Sequence, residues 1–299
     1  MKLRAWIQAF RLKFLPQGVM PVLIGTALAY RTRGVFLMGP FVMAFIGMML
    51  VQFGLTMLDD WHDYLRGTDR TGTDEKNPYS GGSGVLADGR ITPGEMIRVV
   101  ILFYAVAAVI GLYLAYLRGI EVLYIMLAGF FISIFYSLPP FQFAYRGLGE
   151  FMMLLGYGPT ITLGAYFVQA QELTWQAALA GLLPGMLMWA MIIVNEIPDY
   201  EEDRASGKRN LVVRLGRERG VSLYGGGLAF IYLYLGVLIL LGIFPEGTAL
   251  ALLSMFYAAR SVRHLKGHYM DRIEVADANR DMVIVYSMTT LLFTIGFLI

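Results

Sequence analysis

Two short acidic runs offer the first chemistry in the chain. The run 59-DDWHDY-64 sets Asp59 and Asp63 four residues apart, and 195-NEIPDYEED-203 sets Asn195, Asp199 and Asp203 at the same spacing. On a helix, residues four apart share a face, while Asp60 and Glu196 turn away by roughly 100 degrees. Carboxylates stacked in this way repel each other unless a cation sits between them. A hard divalent ion answers that need, because Mg²⁺ takes oxygen ligands, keeps some of its waters and is held by one or two carboxylates plus substrate phosphates. The chain has no cysteine and only three histidines, so a zinc or soft-metal site is not expected, nor is a thiol nucleophile or a disulfide framework. Arg66, Arg70, Lys76, Lys208 and Arg209 all stand within about one loop of the carboxylates. Carboxylate, Mg²⁺ and Arg/Lys together describe a diphosphate clamp. Between the motifs lies 77-NPYSGGSGVL-86, headed by Asn77. Its glycines would let backbone N–H groups approach phosphate oxygens or form a tight lid. It lacks the G-K-[S/T] ending of a Walker A loop, and an ordinary turn is the plainer reading.

Other polar residues read as structure. His62 lies inside the first motif with no histidine partner, as an interfacial residue would. His264 and His268 are four apart but flank Lys266 in a basic stretch, the pattern of a solvated face.

Those motifs hang on long apolar runs. Of 299 residues, 57% are hydrophobic and only 15% charged, with a mean hydropathy of +0.60, which is too apolar for an ordinary soluble domain. The expected fold class is therefore an all-α polytopic membrane protein. Nine candidate spans are expected, at roughly 15–31, 36–58, 96–117, 121–138, 148–168, 175–198, 220–243, 248–262 and 281–299, each near the length that crosses a bilayer. The eighth is the shortest. With the N-terminus placed inside, 21 of the 24 Lys and Arg fall in inside segments, and only Arg31, Arg33 and Arg118 fall outside. The positive-inside rule then sets the N-terminus and every long polar loop in the cytoplasm of a multi-pass cell-membrane protein. No cleavable signal peptide is expected. The opening 1-MKLRAWIQAFRLKFLPQG-18 puts Leu3, Trp6, Ile7, Phe10 and Phe14 on one face, as in an amphipathic helix lying in the membrane interface. The 18 Met and 19 Phe are spread through the spans and read as packing, lipid contact or the lining for a lipid-like substrate.

The two acidic motifs fit one pattern, [D/N]-[D/E]-x-x-D-Y, and each sits at the inner end of an even-numbered span, the second and the sixth. A duplicated half with one acidic site per copy is the simplest account: a single domain over 1–299, with pseudo-repeats at roughly 15–138 and 148–262 plus a ninth helix. The copies would face each other across a shared cavity.

With these motifs in place, the chain resembles the UbiA superfamily of intramembrane prenyltransferases. The resemblance runs over most of the chain, through 59-DDWHD-63, 136-YSLPP-140, 146-RGLGE-150 and 195-NEIPDYEED-203 with its continuation 204-RASGKRNLVVRLG-216. It is closest to the menaquinone branch, in 67-GTD-69, 77-NPYSGGSGVL-86 and 208-KRNLVVRLG-216. The stretch 11-RLKFLP-16 is similar to that branch's R-P-K-T-L-P, with Leu12 in place of the proline and Phe14 of the threonine. Asp59 stands where many members carry Asn. The resemblance implies nine helices around a central cavity with the acidic motifs at its cytoplasmic end. It implies transfer of a polyprenyl group from a polyprenyl diphosphate to an aromatic acceptor, 1,4-dihydroxy-2-naphthoate in this branch. Asp59 and Asp63 would hold one Mg²⁺, and Asp199 and Asp203 a second, making these four the catalytic set. Lys13, Arg66, Lys76, Asn77, Tyr136, Asn195, Lys208 and Arg209 would bind substrate, with Tyr64, Tyr136 and Tyr200 offering ring faces to an allylic cation. The partners are the two substrates and the lipid bilayer, with no nucleic acid.

Three rivals remain at this point. One is another acceptor, such as 4-hydroxybenzoate, a haem, a chlorophyll precursor or an archaeal glyceryl phosphate. A CDP-alcohol phosphotransferase needs a D-G-x-x-A-R run that the chain does not contain. A cation-coupled transporter would use paired acids in inverted repeats, with its site near the bilayer midplane. Here both motifs sit at one face and the repeat is parallel.

Overall fold

A computed structural model describes residues 2–67 and 77–299. The described residues are helical throughout and contain no strand. The chain opens with α1 (Lys2–Ala9), turns at Arg11, whose backbone is left-handed (φ 48°), and passes through a 3₁₀ turn, Leu12–Phe14, into α2 (Leu15–Arg33). Next come α3 (Met38–Arg66), the glycine-rich loop, α4 (Pro93–Arg118), α5 (Glu121–Ser137) and a short α6 (Phe143–Arg146). α7 (Gly149–Leu155) continues through a π turn, Gly156–Thr160, into α8 (Ile161–Ala170). Then follow α9 (Trp175–Ala205), α10 (Leu211–Leu215), α11 (Arg217–Leu240), a 3₁₀ segment Glu246–Ser254, α12 (Met255–His268) and α13 (Val275–Leu298).

Local signals explain the boundaries. Thr92 caps α4 with a full capping box to Glu95, and Pro93 takes the first turn, where its missing N–H is harmless. Gly67 ends α3 in the left-handed conformation (φ 83°), beyond both members of its acidic motif. Both motifs are thus fully helical, one on the last turns of α3 and the other on those of α9.

Seven helical stretches among the described residues are long and apolar enough to cross a membrane, and Glu121–Ser137 is a shorter apolar helix. The eighth expected span, 248–262, is a 3₁₀ segment running into α12 rather than one continuous helix. The protein is an integral, multi-pass membrane protein. α9 is its axis: 67% of its apolar window is buried, against 17% for α4. α4 instead turns Ile101, Leu102 and Val109 outward, a face suited to lipid. Close approach to α9 depends on small residues. A Cβ at Gly185 would collide with the Leu154 carbonyl, and one at Gly158 with the Gly181 carbonyl, so α7 and its π turn rest directly on the α9 backbone.

The N-terminal face expected to meet lipid is split. Trp6 and Phe10 pack on the protein, Phe10 stacking on Phe53 at 5.0 Å, while Leu3 and Ile7 stay exposed. Phe14 is buried.

Candidate active site

The C-terminal turns of α3 and α9 meet across a polar chamber. Asp59, Asp63, Asp199 and Asp203 all line it, together with Tyr136, Asn195 and Lys208. This follows from the helical spacing: each acidic pair sits one turn apart on the face its helix turns inward. Each carboxylate already has a protein partner. Asp59 accepts from Ser137 Oγ at 2.7 Å, and Asp63 from Tyr145 OH at 2.7 Å and Lys208 Nζ at 2.7 Å. Asp203 accepts from Asn210 Nδ2 at 2.8 Å. The second oxygen of Asp199 accepts from the Gly81 N–H at 2.8 Å, while its first lies 3.5 Å from Arg272.

Lys208 ties the two motifs together. Its ammonium is 2.7 Å from Asp63 and 3.5 Å from Asp203. Burial alone would lower its pKa, but the charges of Asp203, Asp63 and Asp59 overcome that and hold it well above the ordinary lysine value. It is therefore a fixed positive charge at the chamber.

The glycine-rich loop closes the chamber from above. Gly81 and Gly82 line it. The loop's N–H groups go to carboxylates: Gly81 to Asp199, and Ser83 to Asp60 at 2.9 Å. Gly81 and Gly84 have φ of 66° and 78°, which only glycine adopts without strain. The loop is thus the tight lid considered from sequence, laced to both motifs. Asn77 anchors it, donating to Asn279 Oδ1 at 2.9 Å and accepting from the Tyr79 N–H at 2.9 Å. Asn279 also donates to Asn195 Oδ1 at 2.8 Å.

Other nominated residues lie further out. Lys13 and Asn77 line a neighbouring mouth, with the Lys13 ammonium 4.5 Å from the centre of the Tyr79 ring. Arg66 and Arg209 are exposed and outside the chamber lining; Arg66 stacks on Tyr145 at 4.7 Å. Tyr64 packs in the α1–α3–α4 cluster, and Tyr200 lies under Arg217. Lys76, Asp69 and Arg70 lie outside the described residues. His62 is buried, its Nδ1 3.7 Å from Asp63. His264 and His268 stack on the outer side of α12, 4.4 Å apart. Sequence reasoning passed over Arg11, which lines the chamber and pairs with Asp60 at 3.6 Å, and Arg272, which grips Glu202 through two bonds of 2.7 and 2.8 Å. It set Glu196 aside, yet Glu196 also lines the chamber.

Among the described residues, no group of three or more His, Asp and Glu side chains converges to hold a metal unaided. The donor set nevertheless fits Mg²⁺. It consists of hard oxygens in pairs, as expected of an ion that completes its shell with substrate phosphate and water.

A second cavity adjoins the first. It is lined almost wholly by apolar residues of α3, α4, α5, α7 and α8. The two share Gln52, Leu55, Met153 and Tyr157. An acidic, lysine-bearing chamber therefore shares a wall with an oily cavity, an arrangement that suits a substrate with a charged head and a hydrocarbon tail.

Comparison with known proteins agrees. The fold matches a UbiA homologue from Archaeoglobus fulgidus bound to GPP and Mg²⁺, with a TM-score of 0.71 at 17% identity over 98% of each chain. The model of the UbiA prenyltransferase family matches residues 18–272, so the chain belongs to that family. The 1,4-dihydroxy-2-naphthoate octaprenyltransferase of Escherichia coli is 30% identical over 71% of this chain and 69% of its own length. The 2-carboxy-1,4-naphthoquinone phytyltransferase of Synechocystis is 25% identical over 91% and 85%. The chain is an intramembrane prenyltransferase, and the transporter reading is set aside.

Proposed function

We propose that the chain transfers a polyprenyl group from its diphosphate to 1,4-dihydroxy-2-naphthoate, as in menaquinone biosynthesis. The observation that carries this reading is the junction of the four-carboxylate chamber with the apolar channel. The names of the relatives support the acceptor. Asp59 with Asp63, and Asp199 with Asp203, would each hold one Mg²⁺; bound there, the ions supply positive charge to the diphosphate as it leaves.

Lys208 adds a fixed charge beside the departing oxygens, and Lys13, Arg66 and Arg209 add positive charge further out; Lys76, the remaining basic candidate, lies outside the described residues. The prenyl chain lies in the apolar channel, which keeps water from the allylic carbon as its C1–O bond breaks. Tyr136 borders that carbon with a ring face. A ring carbon of the acceptor then bonds to C1 and its proton leaves; with the dihydroxynaphthoate, the carboxyl group departs as carbon dioxide and a proton replaces it on the ring carbon that carried it. The charge distribution of the loops supports a chamber at the cytoplasmic face of the cell membrane with the N-terminus inside. In this reading nine membrane segments form one domain of two pseudo-repeats.

The test is prenyl transfer by the purified protein in lipid, with geranylgeranyl diphosphate and 1,4-dihydroxy-2-naphthoate, in Mg²⁺ or EDTA, beside Asp199→Asn. The expected result is a lipid product that needs Mg²⁺ and falls by orders of magnitude in the variant. Mg²⁺-dependent binding of the diphosphate without product would redirect the acceptor to 4-hydroxybenzoate or a glyceryl phosphate. Absence of both binding and product in a folded preparation refutes the mechanism.

A further inference from the structure

Among the described residues, Gln17 is the chamber amide whose side chain has no protein partner. It lies on the first turn of α2, is 1% exposed, and neither its Oε1 nor its Nε2 makes a hydrogen bond to the described residues. It lines the chamber. An amide buried with both its donor and its acceptor unmet is destabilising unless something else fills them. Its neighbour shows the contrast: Gln52 Oε1 is held by Tyr157 OH at 2.6 Å. Nor is Gln17 loosely placed, since its carbonyl accepts from Tyr286 OH at 3.1 Å. The next residue, Gly18, packs directly on the Gln52 side chain, which puts Gln17 near the level of Gln52.

That level decides what the amide can meet. Gln52 lies seven residues before Asp59 on α3, about 10 Å further from the acidic motif along the helix axis. A diphosphate held at the four aspartates is beyond its reach. A prenyl tail offers nothing to bond. What must come to this level is the nucleophile, because its ring carbon has to sit within about 3–3.5 Å of C1. We propose that Gln17 binds the aromatic acceptor, its Oε1 accepting from a ring hydroxyl and its Nε2 donating to an adjacent carboxylate or hydroxyl oxygen. The acceptor class is an arene with neighbouring oxygen substituents. The proposal rests on the prenyl-transfer reading and assigns it an acceptor-selecting residue.

The experiment compares wild type with Gln17→Leu and Gln17→Met, which keep the size and remove the amide. The acceptor KM should rise roughly 10- to 100-fold, while the KM for geranylgeranyl diphosphate and its Mg²⁺-dependent binding stay at wild-type values. Without ligand, both variants should melt at or above the wild-type temperature, because an unmet amide has been removed; a purely structural glutamine would give lower melting. An unchanged acceptor KM, or donor and acceptor KM rising together with reduced melting, overturns the proposal. If wild type fails to prenylate the naphthoate, that failure belongs to the proposed function. Titration with naphthoate and with 4-hydroxybenzoate then tests Gln17 directly. Weaker binding by both variants sustains it, and equal binding, or none by wild type, overturns it.

Discussion

Replacing Lys208 with methionine removes a charge that touches both acidic motifs while keeping most of the side chain's length. Its ammonium meets Asp63 at 2.7 Å and Asp203 at 3.5 Å, and the three side chains are only 14%, 8% and 8% exposed. Unit charges 4 Å apart at an effective dielectric near 20 attract by roughly 4 kcal/mol, and both contacts are shorter than that. Desolvation of the ammonium offsets several kcal/mol of this attraction. Removing one partner of a buried pair costs about 3–5 kcal/mol, because the other charge is left behind. Tyr145 and Asn210 still donate to the two carboxylates, which favours the lower end, about 3 kcal/mol. At about 2–4 °C per kcal/mol for a chain of this size, melting should fall by roughly 6–12 °C.

The assay is thermal unfolding in lipid nanodiscs, without ligand and then with Mg²⁺ and geranylgeranyl diphosphate. Bound cations would take over the neutralising role, so ligand should raise the variant's melting temperature more than that of wild type. The pH dependence has a definite sign. A raised lysine pKa contributes stability that is fully present below the ordinary value of 10.5 and is lost only as pH rises through the higher folded value. Deprotonation of Lys208 therefore contributes no slope to wild-type stability between about pH 6 and about pH 9. A variant that melts with wild type in the absence of ligand refutes the bridging role.

Three further outcomes test the architecture. Asp60→Ala removes the acceptor of the Ser83 N–H; amide exchange across residues 80–86 should quicken and stability fall by about 1.5–3 kcal/mol, and unchanged exchange would show the lid is held elsewhere. Gly185→Val drives a side chain into the Leu154 carbonyl, so the α7–α9 contact must open; about 3 kcal/mol or more should be lost, read by chemical unfolding, and wild-type stability would contradict the packing. Gly129 lines the apolar channel, with Thr160 the nearest group to an added Cβ, at 3.7 Å. Gly129→Phe should fill the channel and slow transfer from long prenyl donors more than from dimethylallyl diphosphate. Equal slowing would place the tail elsewhere.

The helices and the acidic motifs could be read from the chain because both depend on short spacings. A four-residue interval needs only a helix to bring two carboxylates to one face, and α3 and α9 extend through their motifs. The rest of the site is built from distant pairs. Ser137 reaches Asp59 across 78 residues, and Lys208 reaches Asp63 across 145; no local pattern encodes such contacts. Arg11 sits in the quoted stretch 11-RLKFLP-16, yet only the turn at its own left-handed backbone aims it at Asp60. Asn77 was noticed as the head of a glycine loop, and its bonds give it an anchoring position. The N-terminal stripe misled for a physical reason: an apolar face at helical spacing looks the same whether lipid or Phe53 covers it.

The wiring of the chamber bears on how the reaction starts. Two links among the described residues join the acidic motifs: Lys208 joins Asp63 to Asp203, and the glycine loop joins Asp60 to Asp199 through the Ser83 and Gly81 N–H groups. Both use carboxylate oxygens on the motifs that would hold Mg²⁺ or flank it. In the proposed reading, binding of a metal diphosphate would compete with these internal partners, and that competition would supply the coupling. If an ion binds Asp199 as proposed, it weakens that residue's hold on Gly81, while Gly82 of the same loop lines the chamber. The lid and the carboxylates thus share one set of oxygens. If the donor alone loosens the loop, amide exchange at residues 80–84 should rise when Mg²⁺ and geranylgeranyl diphosphate are added, and more so in Asp60→Ala. If phosphate oxygens instead accept the freed N–H groups, exchange should fall on donor binding in wild type and in Asp60→Ala alike. The second outcome would assign the loop a direct place on the diphosphate; the first would make it a gate that opens for the acceptor.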